Sequence, residues 1–173
     1  GGRAPPDLNE TETYDGTSWT EVANLNVNRS FGASASSAPA PTAIVFGGID
    51  GYPSTVHDKT EKWDGTSWTE VNNLNTGRTY PGGAGASNTN ALCMAGDVSP
   101  SQQVESWDGT SWTEVNDLNR ARLEGTRGAG TNTAAICFGG TPGSADDTEL
   151  WNGTSWTEVN NLNTARSYSI AWG

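Results

Sequence analysis

The sequence predicts an all-β chain of repeated four-stranded antiparallel units, three whole and a fourth split between the two ends. Three observations predict it. The phrase Trp-Asp-Gly-Thr-Ser-Trp-Thr-Glu-Val stands at 63–71 and 107–115, and returns with small changes at 14–22 and 151–159. Its second Trp falls at Trp19, Trp68, Trp112 and Trp156, giving spacings of 49, 44 and 44 residues. Between the phrases lie apolar runs that end in Gly: "TAIVFGG", "NALCMAG" and "TAAICFGG". Repeat periods of roughly 40–50 residues belong to stacked units, with propeller blades prominent among them.

Each unit divides into four strands. The first is a small-residue run ("FGASASSA", "GGAGAS", "TRGAGT"), suited to an inner strand where backbones crowd at an axis. The second is the apolar run, whose unbroken hydrophobicity fits a strand covered on both faces. The third is "KTEKW", "QQVESW" or "DTELW", and the fourth is "SWTEV". Asp-Gly-Thr-Ser, or Asn-Gly-Thr-Ser at 152–155, joins the last two. Asx-Gly suits a tight turn because Gly supplies a positive φ. Such a hairpin sets Trp63 opposite Trp68, Trp107 opposite Trp112, Trp151 opposite Trp156 and Tyr14 opposite Trp19, as cross-strand aromatic pairs. In Trp-Thr-Glu-Val the Trp and Val point inward and the Thr and Glu outward.

These features predict a β-propeller. A small four-stranded sheet cannot bury either face alone, and stacking copies about an axis buries both. The Trp pair is the filler that every junction needs. The units run over about 29–77, 78–121 and 122–165, with the split blade from 1–28 plus 166–173. Two closures follow: a compact four-bladed ring, or an arc within a larger or multi-copy propeller. An open arc would leave sheet edges and an unfilled Trp wedge, which favours association with other copies.

The composition agrees. Hydrophobic residues make up 33% and Gly numbers 22, a mixture that could indicate disorder. The eight Trp and the fixed apolar spacing argue for packing instead. The net charge of −11, from 9 basic and 20 acidic residues, repels phosphate backbones and anionic membrane surfaces, so neither nucleic acid nor membrane is an expected partner. No apolar run approaches the ~20 residues of a membrane span. The opening "GGRAPPDLNE" lacks the apolar core of a signal peptide. Cys93 and Cys137 occupy equivalent positions in neighbouring units, and read as buried thiols too far apart for the ~7 Å reach of a disulfide.

The repeat resembles the kelch motif. That motif carries an Arg, a small-residue strand, a strand ending in a Gly pair, a variable loop, an aromatic followed by Asp, and a later Trp. Here those places are held by Arg29, Gly47-Gly48, Trp63-Asp64 and Trp68, and by Arg78, Ala95-Gly96, Trp107-Asp108 and Trp112. Arg122, Gly139-Gly140, Trp151-Asn152 and Trp156 hold them in the third unit. Trp replaces the usual Tyr, and one Gly pair is Ala-Gly. The resemblance implies a kelch-like propeller used for binding. The wording "DGTSWTEVNNLNTAR" is also similar to repeat arrays in predicted tail or virion proteins of marine phages. Kelch-like propellers include a copper oxidase, whose Tyr and His ligands have no counterparts in this sequence.

Candidate sites follow from what repeats and what varies. The repeated Arg29, Arg78, Arg122 and Arg166 read as structural, each pairing with a neighbouring blade's Glu or with carbonyls. Glu21, Glu70, Glu114 and Glu158 read as a solvated outer face. No catalytic set is expected: His57 is the only histidine, and no metal-ligand spacing accompanies it, so neither a metal nor a cofactor is predicted. The loop between the second and third strands varies from unit to unit ("RAPPDLNE", "IDGYPSTVHDK", "DVSPSQQ", "TPGSADD"), and these loops share one rim. Binding on repeat scaffolds concentrates on such a rim. Tyr52, His57, Asp97, Asp146 and Asp147 are the expected contacts. The sequence thus reads as a non-enzymatic binding or structural module, a virion appendage or extracellular adhesion domain that contacts a glycan or protein. An intracellular kelch-type protein-interaction adaptor is one alternative, and an enzyme on a propeller scaffold is the other.

Overall fold

A computed structural model describes residues 1–3, 8–36, 42–51, 55–124, 126–141, 143 and 145–168. An N-terminal hairpin, β1 (Thr11–Tyr14) and β2 (Trp19–Val22), opens the array. The first blade follows with β3 (Ala33–Ala35) and β4 (Ala43–Phe46), a small hairpin β5 (Ile49–Asp50) and β6 (Thr55–Val56), then β7 (Thr60–Trp63) and β8 (Trp68–Val71). The second blade holds β9 (Gly82–Ser87), β10 (Asn90–Met94), β11 (Val104–Trp107) and β12 (Trp112–Val115). The third holds β13 (Arg127–Gly130), β14 (Ala135–Phe138), β15 (Thr148–Trp151) and β16 (Trp156–Val159). Each blade is a four-stranded antiparallel sheet in chain order, as the repeat requires.

The registers follow the turn chemistry. Trp63 pairs with Trp68, Trp107 with Trp112, Trp151 with Trp156 and Tyr14 with Trp19. The ring centroids are 5.3, 5.4, 5.2 and 5.2 Å apart, within the favourable range for tilted aromatic pairs. The turns between them are alike. At Asp108 the carboxylate accepts the amides of Thr110 and Ser111, both at 2.8 Å, and Gly109 takes φ +99°. Those bonds to the charged form hold the Asp15, Asp64 and Asp108 carboxyls below their ordinary range.

The inner strands crowd as their composition predicts. The central β9 lies against β3 on one side and β13 on the other. A Cβ on Gly83 would stand 2.4 Å from the Ser34 carbonyl oxygen, so no side chain fits there.

The central apolar strand β10 is buried on both faces, while β4 and β14 alternate buried and half-buried residues. In β10, Ala91 and Cys93 pack with Ile44, Phe46, Trp107 and Trp112 of the first junction between whole blades. Leu92 and Met94 point the other way and pack with Trp151 and Trp156 of the next. Each aromatic pair therefore faces the preceding blade. Trp112 stacks edge-on against Phe46 at 4.9 Å. Cys93 and Cys137 are free and buried, and burial pushes both thiols up to about 12. The folded chain should resist alkylation by iodoacetamide at about pH 8, with both cysteines reacting once it is unfolded, because the thiolate is the reactive form. Rapid labelling of the native chain, read by mass spectrometry, would contradict this burial.

One position distinguishes the junctions. Trp112 Nε1 donates to Thr60 Oγ1 of the preceding blade at 3.0 Å, and Trp68 Nε1 donates to Thr11 Oγ1 at 3.2 Å. The equivalent residue at the third junction is Val104, and Trp156 Nε1 is buried without a partner. Val104→Thr restores the missing acceptor at nearly constant shape. It should stabilise by about 1 kcal/mol, whereas Thr60→Val should destabilise by about 1–3 kcal/mol through an orphaned indole N–H. Thermal melts of the two variants test the pair of opposite signs.

Two framework expectations need correction. Trp19 is 66% exposed rather than core-filling, because no blade covers that face of the hairpin among the described residues. Arg166 is exposed and forms no ion pair among the described residues, donating only through Nε to the Thr164 carbonyl at 3.2 Å.

Candidate binding rim

Antiparallel order puts the loops between second and third strands on the same rim as the connections between blades. The turns of the repeated phrase lie on the other rim, where Trp107 Nε1 donates to Asn88 O at 3.0 Å. The variable rim is built from the Arg residues upward.

Three of the four repeated Arg, Arg29, Arg78 and Arg122, lock a junction. Arg78 Nη1 donates to Ala95 O at 3.2 Å and Gln103 O at 3.1 Å, and Nη2 meets Glu105 Oε1 at 2.5 Å. Arg29 does the same with Gly47 O, Lys59 O and Glu61, and Arg122 with Gly139 O, Asp147 O and Glu149. An Asn three residues before the Arg completes the lock. Asn75 N and Nδ2 both donate to Glu105 Oε2, at 2.7 and 2.9 Å, while the Thr76 amide adds to Oε1. Asn26 and Asn119 repeat this on Glu61 and Glu149. Each buried carboxylate thus receives four donors, which fills its accepting capacity. That satisfaction lets a buried ion pair persist. Burial draws the Arg29 guanidinium below its ordinary range, opposed by Glu61 and Glu70.

The lock has a second consequence. The carbonyls that Arg78 takes, on Ala95 and Gln103, stand at the two ends of a variable loop, whose neck is also closed by Ala95 N donating to Gln103 O at 2.9 Å. Gly47 with Lys59 and Gly139 with Asp147 close the other two necks in the same way. Three of the four variable loops therefore rise from a fixed neck gripped by the Arg of the connection that leads into their blade.

The sequence-predicted contacts divide on this rim. Asp97 is exposed, with its amide bound to Thr79 O at 2.7 Å. Asp146 is half-buried and its carbonyl accepts the Leu162 amide at 2.8 Å. His57 is mostly covered, with Nε2 at 3.7 Å from Asp50 Oδ2. Burial lowers its pKa despite that carboxylate, so the ring is neutral near neutral pH. Asp147 differs from expectation: it is buried, and its carboxylate takes Asn161 Nδ2 at 3.2 Å and Arg120 Nε at 3.5 Å. It anchors a loop instead of meeting a ligand. Tyr52 lies outside the described residues. Glu21, Glu70, Glu114 and Glu158 are exposed, as expected of a solvated outer face. Among the described residues, no group of three His, Cys, Asp or Glu is placed to hold a metal ion.

One cluster escaped the sequence reading. The residues two positions after the four repeated Arg are Phe31, Tyr80, Glu124 and Tyr168. The fold gathers them. Phe31 and Tyr80 stack at 4.6 Å, Tyr80 and Tyr168 meet edge-on at 6.1 Å, and Tyr168 Oη donates to Glu124. The Arg3 guanidinium stands 5.4 Å over the Phe31 ring. Phe31, Tyr80 and Tyr168 have φ of 56, 55 and 54°, the left-handed region that non-glycine residues avoid. Strain of this kind is retained where surroundings impose it, often at binding sites. The bond to Glu124 pushes the Tyr168 hydroxyl up to about 12, and burial raises that of Tyr80. The signal was present as three aromatics among four equivalent positions.

No protein-family model matches the chain, and no curated protein matches it in sequence. Among solved structures, that of YjhT is similar, with a TM-score of 0.75 over 93% of this chain at 13% identity. The chain spans 64% of that structure's length. At this identity the likeness is one of fold, and the chain is a β-propeller of four-stranded antiparallel blades.

Proposed function

We propose that this chain is a non-enzymatic binding module of the kelch type, and that its ligand, a glycan or a protein surface, seats on the variable rim over the axial aromatic cluster. The carrying observation is the gathering of Phe31, Tyr80 and Tyr168, in left-handed backbone, beside Glu124 and Arg3. Half-exposed ring faces with flanking charged groups offer both stacking and hydrogen bonding, the pairing that small polar ligands need. A glycan is the first choice, because aromatic faces receive the apolar faces of sugars while carboxylate and guanidinium take their hydroxyls.

The buried ionisable groups are spent on holding the scaffold. Glu61, Glu105 and Glu149 each take four donors within the locks. The wording of the repeat supports a virion appendage or extracellular adhesion domain as the setting.

Glycan-array screening followed by calorimetry tests the reading. Tyr80→Gly should abolish binding while keeping or raising the melting temperature, since glycine accepts the φ that tyrosine resists. Binding that survives both Tyr80→Gly and Asp97→Ala would place the ligand elsewhere. A hydrolase or oxidase activity lost on His57→Ala would replace the binding module with an enzyme. Binding restricted to a protein adaptor would favour the intracellular alternative.

A further inference from the structure

Three times among the described residues the same Asn–Arg–Glu junction is built, twice with a Thr hydroxyl beside it, and its two halves are left over at opposite ends of the array. One half combines an Asn and an Arg after the fourth strand with an apolar face and a Thr hydroxyl. At the junction of first and second blades these are Asn75, Arg78, Phe46 and Thr60. The other half supplies a Glu and an aromatic pair, here Glu105 with Trp107 and Trp112.

The unused first half is the outward face of the third blade. Thr148 stands where Thr60 and Thr11 stand, and its Oγ1 is buried without a partner. Phe138 pairs with Thr148 across the strands as Phe46 pairs with Thr60. Leu150 is 44% exposed beside them. Asn163 and Arg166, equivalent to Asn75 and Arg78, are exposed above. The unused second half is the N-terminal hairpin. Trp19 and Tyr14 are 66% and 55% exposed, and Glu12 holds the place of Glu105 with no ion pair among the described residues.

We propose that these halves join between copies. The hairpin of one copy seats on the third blade of a second, Glu12 receives Arg166 and Asn163, and Trp19 Nε1 donates to Thr148 Oγ1. Charge complementarity and the repeat equivalence select this occupant: the free acid meets the free base, and the orphaned acceptor meets the indole its counterparts bind. A second copy is the occupant chosen because, among the described residues of one copy, Trp19 is left uncovered and the third blade's outward face carries the matching Thr148, Asn163 and Arg166. The contact is heterologous, so it generates a ring where the rotation closes and a filament where it does not. It does not depend on the rim as a ligand site.

Sedimentation velocity of the 173-residue chain over a concentration series tests the proposal. A larger species should grow with concentration and vanish in Trp19→Ala, Glu12→Arg and Arg166→Glu, each altering an exposed residue. Mixing Glu12→Arg with Arg166→Glu should restore it, because each variant then offers the charge the other lacks. A single monomer boundary at every concentration overturns the proposal, as does a larger species indifferent to the swaps. A monomer whose melting temperature falls on Arg166→Glu and recovers in the Glu12→Arg/Arg166→Glu double variant also overturns it, since the lock would then close within one chain.

Discussion

Arg78→Ala should lower stability by about 3–5 kcal/mol, the cost of breaking a buried ion pair and stranding its carboxylate. Glu105 is 2% exposed and would keep its Asn75 and Thr76 bonds while losing the guanidinium that neutralises it. The Ala95 and Gln103 carbonyls would lose a donor at the neck of a variable loop. The array responds as a chain of nearest neighbours, so loss of one lock should uncouple the two blades that it joins. Urea unfolding should show a lower midpoint and a broader transition. Arg166→Ala, at a concentration where copies are apart, should fall within ~0.5 kcal/mol of the parent, as surface changes do. Equal effects at the two positions would mean that the locks do not hold the blades together. Replacing Arg78 and Glu105 together by Met should recover part of the loss, because no unpaired charge then remains inside.

Trp107→Ala should be comparably severe, at about 3–5 kcal/mol for a large aromatic removed from a packed site. Trp107 is fully buried, stacks on Trp112 at 5.4 Å and bonds Asn88 O through its indole. Its removal leaves a void in the wedge between two blades, which the inner strands, crowded at glycine, cannot collapse to fill. Trp19→Ala removes the same kind of side chain from the same phrase, yet the ring lies 66% in solvent, so stability should hardly change in dilute protein. The contrast between these two variants, measured by thermal melts, tests whether position in the stack sets the energy of the motif. A large effect at both would require a partner surface already in place over Trp19.

The residues explain which parts of this picture can be read along the chain. The Asp-Gly turn and the Trp opposite Trp involve neighbours a few positions apart, where backbone geometry dictates the outcome. Strand order within each unit followed from the spacing of those local signals. The Arg–Glu lock was half legible: the Arg recurs, and a Glu recurs in the third strand, but the sequence drew attention to the outer Glu70 and Glu114 as solvated and left Glu61 and Glu105 unassigned. Their separations from the Arg, 27 residues for Arg78 and Glu105, exceed what any local pattern reports.

Exposure was decided by the stack. Trp19 and Trp112 sit in nearly the same words, and only the presence of a preceding blade buries one and not the other. Asp146 and Asp147 are adjacent in the loop before β15, yet one is half-buried on the rim and the other is buried in the hold of Arg120 and Asn161. Phe31, Tyr80, Glu124 and Tyr168 belong to four different units and meet only because the blades fan about one axis. The sequence alone determined the unit, its turns and its fillers, since those depend on short-range geometry. The tertiary structure decided which copies of each motif are buried, paired or free, since that depends on what the neighbouring blade brings.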